Sequence, residues 1–185
     1  MAKRSVAPID SERLRLRLLE DRDLATTLAW RNQDHVRRWF FDDREIDADD
    51  HRRWFFDYQQ RDDDFVFIAE DAADASRLIG QVSVYRVDAT RRTAEVGRLL
   101  IDDDCRSHGF ATEATAAVLR WAFATWRLDR VVAEVYSDNA PSLRLFARCG
   151  FSVVRSGERI SHLELTPEAL VTPSDLPRPS APDAP

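Results

Sequence analysis

The chain has 185 residues, enough for one domain with a hydrophobic core of its own. Its 27 basic and 33 acidic side chains give a formal net charge of -6, which disfavours nonspecific nucleic-acid binding because that requires a basic surface. Cys105 and Cys149 are the only cysteines, too few for a disulfide framework. The start of the chain lacks the apolar segment of a signal peptide, and no apolar run reaches the length of a membrane span, so we expect a cytoplasmic protein.

The first 60 residues predict a strand followed by two helices. RLRLRLL (13–19) alternates Arg and Leu, which is the period of a half-buried strand. Residues 21–32 place apolar side chains on one helical face, and residues 47–60 begin with acidic side chains, as the helix dipole favours in a first turn. An apolar and aromatic segment, VRRWFF (36–41), connects the two predicted helices.

Three strands, a long helix and a further strand are predicted next. The strand candidates are 64–70, 77–88 and 93–101, and the last two are joined by a link, DATRR, that is short enough for a hairpin. From Gly109 onward, apolar residues recur at helical spacing. Residues 130–137 are again rich in β-branched side chains and predict a strand.

The last predicted elements are a short helix and two strands. Residues 138–151 predict the helix, with Asp138 or Asn139 as its N-cap and Gly150 just after its end. FSVV and RISHLEL predict the final pair of strands.

This order of elements predicts a single mixed α/β domain over residues 11–165. Antiparallel hairpins precede a strand–helix–strand unit, whose strands should run parallel with a right-handed crossover. Helices are then expected on both faces of the sheet. Residues 166–185 are rich in Pro, Ser and Ala and cannot bury enough apolar surface to fold, so they predict a disordered tail.

The start of the helix at Gly109 has the composition of an anion site. A helix N-terminus presents unpaired N–H groups at the positive end of its dipole, and Gly109 removes a side chain that would block close approach. Arg106 can add a charge-assisted bond to a phosphate oxygen. A pyrophosphate fits this segment, and a turn that uses glycine for backbone reasons alone is the alternative. The segment is neither a Walker A loop nor a dinucleotide fingerprint.

Two motifs together resemble the GNAT family of N-acetyltransferases. They are R-x-x-G-x-A from Arg106 to Ala111 and N-x-x-S…L-F-x-x-x-G-F from Asn139 to Phe151, and the likeness runs from about Leu14 to about Leu165. The resemblance implies a mixed, mostly antiparallel twisted sheet of about six or seven strands with a splayed central parallel pair and about four helices on both faces.

The resemblance also implies acetyl-CoA as co-substrate and no metal. The pyrophosphate would bind backbone N–H groups of the Gly109 turn, and the pantetheine arm would follow the strand that ends at Ile101. The implied cofactor contacts are Leu99, Leu100, Ile101, Arg106, Ser107, His108, Gly109, Phe110, Ala111, Thr112, Asn139, Ser142 and Phe146. Ser107 stands where the family often has glycine, but serine keeps the backbone donor.

Relatives commonly carry a general base at the position of Glu95, on the strand before the phosphate turn. The alternative is that Glu95 forms a cross-strand ion pair with an arginine such as Arg92. Many members use a tyrosine to protonate the leaving thiolate where this chain has Phe146. The general acid therefore stays open between Ser142, Tyr136 and solvent.

The acceptor pocket is expected between the two N-terminal helices and the strand hairpin. WRNQDHVRRWF followed by DDHRRWFF resembles acetyltransferases that act on UDP-linked amino sugars, which implies acceptor contacts by Arg31, His51, Trp54 and Tyr85. The alternatives are an Arg31–Asp34 ion pair and simple packing of the tryptophans.

The sequence thus predicts direct acetyl transfer in a ternary complex to the primary amine of a small metabolite. A nucleotide-linked amino sugar is favoured because arginine pairs well with phosphate. The basic residues behind that ranking are Arg31, Arg37, Arg38, His51, Arg52 and Arg53. A polyamine, a protein N-terminus and a non-catalytic acetyl-CoA-binding domain are the alternatives. We expect a monomer or homodimer that binds neither nucleic acid nor membrane.

Overall fold

Eight strands form one mixed sheet in the computed structural model, which describes residues 5–171. The strands are β1 (Ile9–Asp10), β2 (Leu14–Leu18), β3 (Asp64–Asp71), β4 (Leu78–Asp88), β5 (Thr93–Ile101), β6 (Arg130–Tyr136), β7 (Ser152–Ser156) and β8 (Ile160–Leu165). The helices are α1 (Leu24–Asn32), α2 (Asp34–Arg37), α3 (Ala48–Gln59), α4 (Phe110–Trp126) and α5 (Ala140–Arg148).

The sheet has the order β1-β2-β3-β4-β5-β6-β8-β7, and all neighbours are antiparallel except β5 and β6. The predicted fold class is therefore confirmed. The predicted counts of strands and helices were too low, because β1 has two residues and α2 has four. Elements this short do not show a hydrophobic period that a sequence pattern can reveal.

The parallel pair β5–β6 is splayed. Its register covers only Thr93 to Glu95 on β5, opposite Arg130 to Val132 on β6. Further along, β5 has a bulge at Arg98, whose φ is 49°, and its pairing with β4 shifts at that point. A bulge bends the strand that contains it, so the rest of β5 diverges from β6 and leaves a gap between them.

The two faces of the sheet bury different helices. On one face α4 contributes Ala116, Val118 and Leu119 to the main core. On the other face α3 packs through Phe55 and α1 packs through Trp30. None of the helices in residues 5–171 is long and apolar enough to cross a membrane.

The start of the predicted tail is ordered in the structure. Residues Pro167–Ala169 form a 3-10 turn, and the backbone N–H of Val171 donates to the carbonyl of Cys149. Gly150, with φ of 99°, lies so close to this segment that a Cβ there would be 1.9 Å from the carbonyl oxygen of Ala169. The prediction of disorder is therefore wrong for 166–171, while 172–185 lie outside the described residues.

Candidate active site

The turn before α4 presents backbone donors to solvent. Ser107 and Gly109 have φ values of 64° and 81°, and α4 begins directly afterwards at Phe110. Within residues 5–171, the N–H groups from Ser107 to Thr112 have no backbone acceptor, and the first bond of the helix runs from Glu113 N to Gly109 O at 3.1 Å. Unpaired donors at the positive end of a 17-residue helix form an anion-binding surface.

The side chain of Arg106 lies beside this turn but is already paired. Its Nε is 2.9 Å from Asp103 Oδ1, and His35 Nε2 is 3.1 Å from the same oxygen. Arg106 is about half exposed, so the pair contributes little to stability and opens readily. His108 is exposed, as expected for a loop residue.

Arg13, which no sequence motif singled out, fixes the geometry of the turn. Its NH1 donates to the carbonyl of His108 at 2.9 Å, and its Nε donates to Glu113 Oε2 at 2.8 Å. The guanidinium lies 4.5 Å from the centre of the Phe110 ring. Glu113 is only 4% exposed, and a buried carboxylate requires a basic partner such as Arg13.

The last residues of β5, Leu99 to Ile101, border the gap, and the cofactor contacts predicted for them stay predictions. Beyond Glu95, β5 has no hydrogen-bonded strand on its β6 side among the described residues. The Leu100 side chain packs with Trp30 on the α1 face, and those of Leu99 and Ile101 pack on the main core. The gap thus exposes a strand edge that another extended chain can pair with.

The start of α5 lies near the end of β6. Asn139 is 7% exposed and caps α5, with its Oδ1 accepting from Ser142 N at 3.2 Å. Phe146 is buried, and its ring packs edge-to-face on Phe151 at 5.0 Å. Phe146 therefore packs in the core, and the cofactor contact predicted for it stays a prediction.

Glu95 lies at the closed end of the gap with both carboxylate oxygens bonded. Tyr85 Oη donates to its Oε1 at 2.8 Å, and Arg86 NH1 donates to its Oε2 at 2.7 Å. The arginine that pairs with Glu95 is thus Arg86, and not Arg92, which contacts Asp129 at 2.8 Å. Arg86 reaches Glu95 from a bulge in β4 that a residue count along the strand does not reveal.

A sequence model of the GNAT acetyltransferase domain matches residues 13–152. The chain belongs to the GNAT acetyltransferase family. It is therefore an acyl-CoA-dependent acetyltransferase.

Curated proteins that are similar to this chain are N-acetyltransferases. The uncharacterized N-acetyltransferase YoaA of Bacillus subtilis is 27% identical over 145 residues, which is 77% of this chain and 81% of that protein. Human alpha/beta-tubulin-N-acetyltransferase 9 is 27% identical over 95 residues, covering 51% of this chain and 46% of the relative.

Two solved structures share the fold. A spermidine N-acetyltransferase from Vibrio cholerae, in complex with CoA and spermine, has a TM-score of 0.78 at 21% identity, covering 86% of this chain and 98% of that one. FdhC, a nucleotide-linked sugar GNAT, has a TM-score of 0.77 at 18% identity, covering 88% and 92%. At these identities the likeness establishes the fold alone.

Tyr85, predicted to stack on an acceptor, has other partners in this GNAT domain. The guanidinium of Arg98 lies 4.3 Å from the centre of its ring, and Arg98 also contacts Asp64 at 2.9 Å. Burial, together with the adjacent Glu95 carboxylate, raises the pKa of Tyr85, so the phenol stays protonated and donates to Glu95. The structure therefore makes Tyr85 a partner of Glu95.

His51 and Trp54 lie between α1 and α3. His51 Nε2 is 3.1 Å from Thr27 Oγ1, which donates its own hydrogen to a main-chain carbonyl, so the imidazole is the donor in this contact. Its ring stacks on Trp54 at 5.2 Å, and burial lowers the pKa of His51. Both residues thus pack the two helices together, and the acceptor contacts predicted for them stay predictions.

The triplet Trp30–Arg31–Asn32 fastens the α2–α3 connection to the rest of the domain. Trp30 Nε1 donates to Asp102 Oδ2 at 2.7 Å, and Asp102 lies just ahead of the turn before α4. Asn32 donates to the carbonyl of Ile46 at 2.7 Å and accepts from its N–H at 2.9 Å. These bonds connect the end of α1 with the loop before α3 and with the residue that follows β5.

Arg31 is buried within this connection. It donates to the carbonyl of Asp42, and its guanidinium lies 4.0 Å from the centre of the Phe40 ring. Its NH1 has no partner within residues 5–171, and burial lowers the pKa of Arg31. The alternative pairing with Asp34 is wrong, because Asp34 contacts Arg37 at 2.8 Å.

We expect Asn32→Ala to cost about 1–2 kcal/mol of stability, because it leaves both backbone groups of Ile46 without their side-chain partner. The KM for the acceptor should rise, since the α2–α3 connection loses its fastening, while acetyl-CoA affinity stays unchanged. Denaturant melts and steady-state kinetics measure the two effects. Gln33→Ala, one residue further on, is the matched control. Equal effects of the two variants would contradict the fastening role.

Most of the arginines that suggested a phosphate-binding pocket form ion pairs with aspartates. Arg37 pairs with Asp34, Arg52 with Asp49 and Arg53 with Asp50, each three residues apart on one helix. Arg38 has no carboxylate partner within the described residues and lies 4.5 Å from the centre of the Trp39 ring.

An aromatic group covers the end of β6 at the open side of the gap. The rings of Trp39 and Phe41 lie 6.3 and 5.4 Å from that of Tyr136. Phe41 is 60% exposed, so the group offers apolar surface to a ligand entering from solvent. Among residues 5–171, no three His, Cys, Asp or Glu side chains form a group that would hold a metal ion.

Proposed function

We propose that this GNAT enzyme transfers the acetyl group of acetyl-CoA directly to the primary amine of a small molecule. The observation that carries the proposal is the turn before α4. Its backbone donors from Ser107 to Thr112 have no acceptors among the described residues, and they lie beside the gap between β5 and β6. A Cβ at Gly109 would meet only the Arg13 guanidinium, at 3.6 Å, so glycine leaves open space where a phosphate fits.

The residues around the turn are suited to hold a pyrophosphate. The N–H groups of the turn donate to its oxygens, and Arg106 exchanges Asp103 for a phosphate oxygen. Arg13 holds the carbonyl of His108 away from the phosphate and adds positive charge nearby. The unpaired edge of β5 from Gly97 to Ile101 hydrogen-bonds the amides of a pantetheine arm.

Bound acetyl-CoA would supply an activated acetyl group, with the coenzyme A thiolate as the leaving group. Backbone N–H groups near Leu99 and Leu100 polarise the carbonyl. In this proposal a carboxylate beside the gap supports proton removal, and Glu95 is the carboxylate that the family resemblance implies. Its ion pair with Arg86 is the more readily opened of its two contacts, because the Arg86 side chain is 71% exposed.

For the acceptor, we propose a cationic amine ahead of a nucleotide-linked amino sugar. The sequence favoured the amino sugar because of its arginines, but three of these arginines pair with neighbouring aspartates. Acidic side chains outnumber basic ones in residues 34–53, and the aromatic surface of Trp39, Phe41 and Tyr136 suits an aliphatic cation. The nucleotide-linked sugar remains the second candidate because Arg38 is free for a phosphate and Trp39 for a base.

A thiol-release assay with acetyl-CoA and a panel of acceptors tests this proposal. The panel contains spermidine, a UDP-linked 4-amino sugar and a peptide with a free amino terminus. We expect the highest kcat/KM with spermidine and no effect of Arg38→Ala on that value. Turnover of the UDP sugar alone, lost in Arg38→Ala, would reverse the ranking. Failure to bind acetyl-CoA in calorimetry would refute the proposed function itself.

A further inference from the structure

A second carboxylate borders the gap between β5 and β6. Glu134 lies on β6 two residues beyond Val132, where pairing with β5 ends. Alternate residues of a strand share a face, so Glu134 lies on the same face as Val132 and its register partner Glu95. Its neighbours Ala133 and Val135 point into the main core. Glu134 therefore flanks the open part of the gap on the face that holds Glu95.

Two strands beyond the gap hold Glu134 in place. Its register partner on β8 is His162, whose Nδ1 is 3.2 Å from Glu134 Oε1. Arg155 of β7 lies 2.5 Å from the other ring nitrogen, Nε2. A guanidinium only donates, so Nε2 accepts, and the imidazole proton is on Nδ1 and is donated to Glu134. The chain Arg155–His162–Glu134 thus runs across the sheet to the gap.

The environment of Glu134 differs from that of Glu95. Both oxygens of Glu95 are bonded and its side chain is 8% exposed, whereas Glu134 is 35% exposed and its Oε2 has no partner within residues 5–171. Other charged groups on this face include Arg86 from β4, Arg130 from β6, Glu164 from β8, and the paired Arg98 of β5 and Asp64 of β3. Arg86 pairs with Glu95, and the nearby Glu134 carboxylate contributes to the raised pKa of Arg86. Glu134 is therefore the carboxylate with a free lone pair toward the gap.

We propose that Glu134, positioned by His162 and Arg155, binds the attacking amine and accepts its proton; this rests on the proposed function. The amine nitrogen bonds to the acetyl carbonyl carbon, and the C–S bond breaks with its electron pair leaving on the thiolate. The N–H proton moves to Glu134 and from there to solvent, while the thiolate takes a proton from solvent. Glu95 then serves to order Tyr85 and Arg86 beside the site.

Kinetics of matched variants separate Glu134 from its surroundings. With acetyl-CoA and spermidine, Glu134→Gln should lower kcat/KM by roughly a hundredfold, as expected for loss of a general base, with acetyl-CoA affinity unchanged. Glu164→Gln makes the same change on the same face, two residues beyond His162 on β8, and should stay within about twofold of the parent. Equal rates for both variants, in enzyme that transfers acetyl groups, would overturn the proposal and leave the proposed function intact.

The positioning role of His162 has its own readouts. His162→Asn keeps a donor at the place of Nδ1 and should retain most of the activity, whereas His162→Ala should lose it. Nitrogen-15 shifts of the neutral imidazole report the tautomer without any turnover. We expect the Nδ1–H form in the parent and in Glu134→Ala, where Arg155 still donates to Nε2, and a shift toward Nε2–H only when Arg155→Ala is combined with Glu134→Ala. An Nε2–H imidazole in the parent would overturn the positioning chain, whatever the acceptor is.

Discussion

Gly109→Val should weaken acetyl-CoA binding by at least about tenfold, a loss of 1.4 kcal/mol or more. Two effects act together at this position. The residue has φ of 81°, a left-handed conformation that a β-branched side chain adopts only with strain. The added branches would also fill the open space in front of the backbone donors of the turn. Isothermal calorimetry with acetyl-CoA measures the loss.

Ser107→Gly is the control with the opposite expected sign. Ser107 also has a positive φ, 64°, and glycine adopts it without a Cβ penalty while keeping the backbone donor. Acetyl-CoA affinity should therefore be unchanged or better, and the melting temperature unchanged or higher. A folded Gly109→Val variant with the affinity of the parent would refute the placement of the pyrophosphate.

Glu95→Gln distinguishes the two carboxylates: turnover should fall roughly a hundredfold if Glu95 takes the proton, and only a few-fold if Glu134 takes it. Glutamine can still accept from Tyr85 but no longer attracts a proton or pairs with Arg86. The affinity for acetyl-CoA should stay close to that of the parent, because Glu95 lies at the closed end of the gap and away from the phosphate turn.

Arg86→Ala is the matched control for Glu95, since it breaks the ion pair and leaves the carboxylate in place. It should preserve turnover under the general-base role. If Glu95→Gln stays within a few-fold of the parent and has the same pH profile, Glu95 is an ordering residue. Glu134 would then be the residue that accepts the proton.

The sequence predicted the fold well because its signals are local. The alternation of Arg and Leu in 13–19 and the helical spacing after Gly109 each reflect one face of one element, and the structure places β2 and α4 there. The bulges at Arg86 and Arg98 were missed because a bulge depends on pairing between strands.

In the candidate site, too, local features were predicted and contacts between distant segments were missed. The turn before α4 is encoded within one short segment, and the structure has the unpaired N–H groups that were expected there. The contacts Arg13–Glu113 and Glu134–His162 were missed because they join residues far apart in the chain. The pairing of Arg52 with Asp49, by contrast, follows from their spacing on a single helix and could have been predicted from the sequence. Counting those pairs would have weakened the case for a phosphate-bearing acceptor.

Titration of the isotope-labelled protein with acetyl-CoA, followed through its backbone amide signals, tests the central claim most directly. We expect saturable shifts at Ser107 to Thr112, where the donors have no acceptors, and along Gly97 to Ile101, where β5 is unpaired. Gly109→Val should lose the shifts of the turn. Saturable binding that leaves Ser107 to Thr112 unmoved would contradict the account.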